Sequence, residues 1–206
     1  MVKSLQDKMN DGREYRNMKL EARETGDGEM IVEGYATTFN QPYMLWKARD
    51  YEVWEQVDAR AFDDCDMNDV IFQYDHEGRV FARNKNGTMS LAADAVGLFT
   101  RADLSGTDIG RQLYQEIKGG YTDKMSFCFT VDEDERTIRE DNEKTVVMRT
   151  IKRIGKLYDV SAVSIPANDA TSISARSYGD GVIAELQAER LVRANKIKKI
   201  KLMMEV

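Results

Sequence analysis

Lys124-Met125-Ser126-Phe127-Cys128-Phe129 sets a hydroxyl and a thiol at alternate positions of a largely apolar run. Alternation with period 2 puts Met125, Phe127 and Phe129 on one face of a strand and Ser126 with Cys128 on the other, so a small nucleophile sits on a stiff element. A serine hydroxyl is weak at neutral pH and needs a base that takes its proton and later returns it to a leaving group. Imidazole suits both steps, and the chain has 1 histidine, His76, directly after the strand-like run Val70-Ile71-Phe72-Gln73-Tyr74-Asp75. The ring then needs an acid against its other nitrogen, to hold one tautomer and stabilise its charged form.

Asp159 is the candidate acid because it interrupts the run Leu157-Tyr158-Asp159-Val160-Ser161-Ala162-Val163-Ser164, where a charge is costly unless paired. Asp75 adjoins His76, but a strand would point it to the opposite face. Cys128 is the rival nucleophile, and its plainer reading is a small buried filler. Plainer readings also stand for His76, as a surface or packing residue, and for Asp159, as a solvated acid at a strand edge. The turn Ser164-Ile165-Pro166-Ala167-Asn168 supplies backbone N–H groups that could meet an oxyanion. Together these residue types point to serine-protease chemistry, with no metal and no cofactor.

The elements that must carry them read mostly as strands. Residues 19–23, 30–39, 52–57, 70–75, 80–83, 89–94 and 96–104 have strand character, with turns at Gly26-Asp27-Gly28 and Asn84-Lys85-Asn86-Gly87. The clearest helix covers residues 107–118, where Ile109, Leu113 and Ile117 fall on one face, Ser105 with Asp108 resembles a capping box, and Gly119-Gly120 stops it. A long hairpin follows, with an acidic tip around Glu140-Asp141-Asn142-Glu143, a return arm over residues 145–154, and Gly155 separating that arm from the Asp159 strand. From Gly181 the composition turns basic and free of proline, which predicts a helix over residues 182–204.

At 206 residues the chain suits one domain of moderate size; it is 42% hydrophobic and 32% charged. No run is long enough to span a bilayer and the first residues lack the apolar core of a signal peptide, so the expected site of action is the cytoplasm. Two cysteines, Cys65 and Cys128, make neither a metal pattern nor a disulfide framework. The acidic group Asp63, Asp64, Asp66 and Asp69 reads as a solvated loop rather than a calcium site. A net charge of −6 argues against coating nucleic acid, and only the C-terminal end is basic.

With these residues in place, the chain resembles the prohead proteases of tailed bacteriophages, capsid-maturation enzymes related to herpesvirus assemblin. The resemblance runs over residues 18–174. It rests on the order and spacing of Glu33-Gly34-Tyr35-Ala36 with Phe39, the strand into Asp75-His76, Asp94 with Gly97-Leu98, the helix ending Ile117-Lys118-Gly119-Gly120, the Ser126 strand, and Leu157 to Ser161 through Ser164-Ile165-Pro166-Ala167-Asn168.

The resemblance implies a mostly β protein with flanking helices (α+β), an assemblin-like closed β-barrel surrounded by helices. By it His76 is the general base and Ser126 the nucleophile. Assemblin has a second histidine where Asp159 stands here, and its loop after that strand supplies oxyanion donors, which marks the backbone of Ala167. Cys128 departs from the glycine common in the phage family. The expected division is a mobile polar leader over residues 1–17, a protease domain over 18–176 and a basic helical tail over 177–206. The implied substrates are the major capsid protein with its scaffolding or delta domain, and the chain itself, inside the procapsid in the host cytoplasm. Self-association is implied, and neither a membrane nor a specific nucleic acid is. The competing expectation is a non-enzymatic capsid scaffold or assembly factor.

Overall fold

The computed structural model describes residues 12–24, 29–141, 144–164 and 169–204. Among them the chain forms strands β1 (Arg13–Lys19), β2 (Glu21–Glu24), β3 (Met30–Thr38), β4 (Tyr43–Lys47), β5 (Tyr51–Val57), β6 (Ile71–Tyr74), β7 (Glu77–Arg83), β8 (Met89–Ala93) and β9 (Gly97–Asp103). Helix α1 (Asp108–Lys118), the long strands β10 (Lys124–Asp141) and β11 (Lys144–Val163), and helix α2 (Asp169–Met204) complete it. The mostly β expectation holds, with two helices. One sheet runs β1-β10-β11-β5-β4, with β6 parallel to the later part of β11 and β7 paired to β6; the second runs β2-β3-β9-β8. Among the described residues these ladders make two sheets and close no ring, so pairing does not form the closed barrel that was expected.

The two sheets enclose one core. Phe72, Phe127, Phe129, Leu98, Ile151, Ile154 and Leu157 are fully buried in it, and the rings of Phe127 and Phe129 stack at 4.5 Å. Each such side chain contributes about 1.5–3 kcal/mol through burial, which pins the Ser126 strand from its apolar side. Helix α1 seals one end with Leu113, Tyr114 and Ile117. Its cap is Thr107, whose hydroxyl accepts from Gly110 N at 3.0 Å; Ser105 instead donates its own N–H to Asp103, so the expected capping box is not made.

Three boundaries differ from the sequence reading. Residues 13–17, placed in the polar leader, belong to β1, where Tyr15 is buried and Arg16 and Glu14 find partners far along the chain. Gly155 does not separate two strands; it is an unpaired bulge residue inside β11. Helix α2 starts well before residue 182, and Gly179 lies within it, because a Cβ there would stand 2.3 Å from the Trp46 ring on β4. The missing side chain at Gly179 is what lets helix and sheet touch.

Candidate active site

Strand β10 sends Met125, Phe127 and Phe129 into the core and Ser126 with Cys128 to the other face of the sheet, as alternation predicts. Ser126 pairs across the ladder with Ser161 of β11, and Cys128 with Asp159. Residues directly opposite share a face, so all four side chains meet on one side of the sheet. Asp159 reaches that side only through a β-bulge. Phe129 pairs with Leu157 while Cys128 pairs with Asp159, leaving Tyr158 as the extra residue. In a regular strand Asp159 would share Leu157's face and point into the core; the bulge instead turns the carboxylate out beside Ser126.

His76 arrives by a second irregularity. β6 and β7 are joined by Asp75-His76, with Tyr74 paired to Glu77, and both turn residues have positive φ, 49° and 60°. This is the two-residue hairpin geometry that normally favours Asn and Gly, and holding each non-glycine residue there costs on the order of 1–3 kcal/mol. The turn is anchored from β11. Asp75 N–H donates to Ala162 O at 2.9 Å, while Asp75 carboxylate oxygens accept from Ser164 N at 3.1 Å and Ser164 Oγ at 3.0 Å. Asp75 therefore fixes the end of β11 and does not face the imidazole.

The imidazole lies against Asp159, with His76 Nδ1 at 2.5 Å from Asp159 Oδ1. Both side chains are out of water, at 0% and 6% exposure. Ser161 Oγ donates to the same carboxylate oxygen at 2.8 Å. The Tyr15 ring stands edge-on to the imidazole at 4.7 Å, at 74°. Burial first, then Cys128 and the Asp159 charge, pushes the Tyr15 hydroxyl's pKa well up, so it stays neutral. Ser126 is fully buried, and its Oγ forms no hydrogen bond among the described residues.

The structure thus joins His76 to Asp159 and brings Ser126 onto their face, without a bond from the hydroxyl to the ring. Cys128 is equally buried and packs against Tyr15. Ala167, the expected oxyanion donor, lies outside the described residues. Two neighbours were not read from the sequence: Ser161, which alternation from Asp159 signals, and Tyr15, which carried no local signal in a polar segment.

The family model described as caudovirus prohead serine protease matches residues 16–181. The prohead protease of Enterobacteria phage HK97 is 29% identical over 180 residues, covering 85% of this chain and 73% of that protein. Among solved structures, the bacteriophage T4 capsid assembly protease aligns over 73% of this chain and 98% of its own, at 11% identity and a TM-score of 0.36, a likeness too distant to carry any argument. The family match spans the two sheets apart from the first three residues of β1, and every described residue of the candidate site except Tyr15, and the chain belongs to the caudovirus prohead serine protease family.

Proposed function

We propose that the chain is a serine endopeptidase of capsid maturation in which Ser126 is the nucleophile, His76 the general base and Asp159 the acid that orients it. The contact between His76 Nδ1 and Asp159 Oδ1, made on the Ser126 face, carries this reading. A carboxylate accepts only, so the ring proton sits on Nδ1 and Nε2 is left as the base. Nε2 takes the Ser126 proton as Oγ attacks the scissile carbonyl, then protonates the leaving amine. Backbone N–H groups beyond β11, that of Ala167 among them, receive the oxyanion, and the Asp75–Ser164 bonds fix the chain at Ser164, where it leaves β11. No cofactor takes part.

Because Ser126, His76 and Asp159 are all buried, substrate entry requires opening of this face, which suits an enzyme that must wait for assembly. The substrates are scaffold or delta-domain segments of the major capsid protein, and the chain itself, within the procapsid in the host cytoplasm; activity depends on self-association. Labelling with a serine-directed fluorophosphonate tests the chemistry. Ser126 should be modified, and His76→Ala should abolish the adduct. Modification elsewhere would remove Ser126 from the role, and modification of Ser126 undiminished in His76→Ala would remove His76 as its base. Co-expression with the capsid protein, comparing wild type with Ser126→Ala on a gel, tests the substrate; identical band patterns would refute it.

A further inference from the structure

We infer that Ser161 is a positioning residue, a fourth member of the relay that fixes the Asp159 carboxylate and through it the tautomer of His76. This rests on the triad reading above and adds a residue to it. Among the described residues Ser161 Oγ–H has one use, donation to Asp159 Oδ1 at 2.8 Å, the oxygen that His76 Nδ1 meets at 2.5 Å. Its side chain is fully buried, and its backbone sits directly across the ladder from Ser126. One short segment of β11 therefore sets both the height of the nucleophile strand and the direction of the acid.

The physical need follows from the bulge at Tyr158. Asp159 is turned out of the core at an irregular point of the strand, where the regular ladder does not dictate its side-chain angle. A carboxylate held by the imidazole alone can pivot about its last torsion; a second donor two residues along the same strand removes that freedom. The second bond also shares the carboxylate oxygen between two donors, which fixes where that oxygen meets the ring N–H. Among the described residues the other ionisable groups facing this pair are Tyr15 from β1 and Cys128 from β10, with Arg13 stacked on Tyr158. Of the two serine hydroxyls on this face, Ser161 is committed as a donor and Ser126 is not, which separates orienter from nucleophile.

His76 is the chain's 1 histidine, so its ring N–H resonance can be read without ambiguity. ¹⁵N-labelled full-length protein carrying Ser126→Ala should show the ring protonated at Nδ1, with a downfield, slowly exchanging proton. Adding Ser161→Ala should speed that proton's exchange about tenfold and let the Nε2–H tautomer appear, as loss of one hydrogen bond to a charged group requires. In the active protein Ser161→Ala should lower kcat about tenfold with KM nearly unchanged, and Ser161→Thr should restore both kcat and the resonance. Ser161→Cys, similar in size but a poor donor, covers the case in which alanine disturbs folding, and should behave like alanine. An unchanged resonance and kcat in both Ser161→Ala and Ser161→Cys would overturn the role of Ser161 while leaving the triad standing. A parent ring without a bonded Nδ1 proton would overturn the triad and this inference together.

Discussion

Glu14→Gln should cost the protein about 3 kcal/mol at neutral pH and almost nothing in strong acid. Glu14 lies on β1 beside Tyr15, in a buried cluster with Arg16, Glu55 and Arg149. Arg149 Nη1 meets Glu14 Oε2 at 2.7 Å and Glu55 Oε2 at 2.8 Å, Arg16 Nη2 meets Glu14 Oε2 at 2.6 Å, and Arg16 Nε meets Glu55 Oε1 at 2.5 Å. Burial alone would raise the Glu14 pKa; the Arg16 and Arg149 charges and hydrogen bonds outweigh it and hold the carboxyl at about 2, against an ordinary 4.5. At about 1.4 kcal/mol per pH unit, that depression is worth about 3 kcal/mol. A depressed acid contributes its stability above the unfolded value and loses it as pH falls through the folded one, so the effect fades between about pH 4.5 and 2. Urea unfolding followed by the fluorescence of Trp46 and Trp54, in a Ser126→Ala background to prevent self-cleavage, gives both curves. The gap between that parent and its Glu14→Gln variant should close as pH falls. A gap of constant size from pH 7 to 3 would mean that lost packing, not the charge, was responsible, and the electrostatic account of β1 docking would fail.

Cys128→Ala should leave cleavage within about threefold of wild type, since the thiol packs behind the serine rather than reacting; abolished cleavage would make Cys128 the nucleophile. Asp159→Asn presents an amide to the ring and favours the wrong tautomer, so kcat should fall by up to about 10⁴-fold while the fold survives. Activity within tenfold of wild type would take Asp159 out of the relay. Gly97→Ala would place a Cβ 2.0 Å from Thr37 O and 2.9 Å from Thr38 Cα, backbone that cannot swing aside, and should cost about 3 kcal/mol in thermal unfolding. An unchanged Tm would show that β3 and β9 are less closely apposed than this.

What the sequence shows best is what depends on neighbours. The split of Ser126 and Cys128 from Met125, Phe127 and Phe129 follows from period 2 alone, and the α1 stripe from period 3.6. The facing of Asp159 is less accessible, because one unpaired residue, Tyr158, inverts the alternation between Leu157 and Asp159, and nothing local announces a bulge. The turn carrying His76 has no glycine or asparagine at its two central positions, so it gives no hairpin signal despite its positive φ values. β1 reads as a polar leader because Arg16 and Glu14 are neutralised by Glu55 and Arg149, distant in sequence. Gly155 reads as a break where the fold uses it as a bulge.

Three unfavourable features meet within this one patch: His76 and Asp75 at positive φ, and the Ser126 hydroxyl buried without a hydrogen bond among the described residues. None helps the sheet to fold, and strain gathered at one place suggests that a function holds it there. The hydroxyl gives the idea a thermodynamic test. A buried serine kept for structure makes hydrogen bonds, and removing it destabilises; a buried hydroxyl left without an acceptor costs about 1–3 kcal/mol, and removing it restores part of that. Ser126→Ala should therefore raise stability by about 1 kcal/mol in urea unfolding while abolishing fluorophosphonate labelling. Wild type must be measured with self-cleavage blocked by a reversible inhibitor, extrapolated to zero inhibitor so that binding does not add to its stability. A loss of about 1 kcal/mol or more in Ser126→Ala would mean that the hydroxyl is structurally satisfied in the resting protein, and a nucleophile held ready at a cost in stability would no longer describe it.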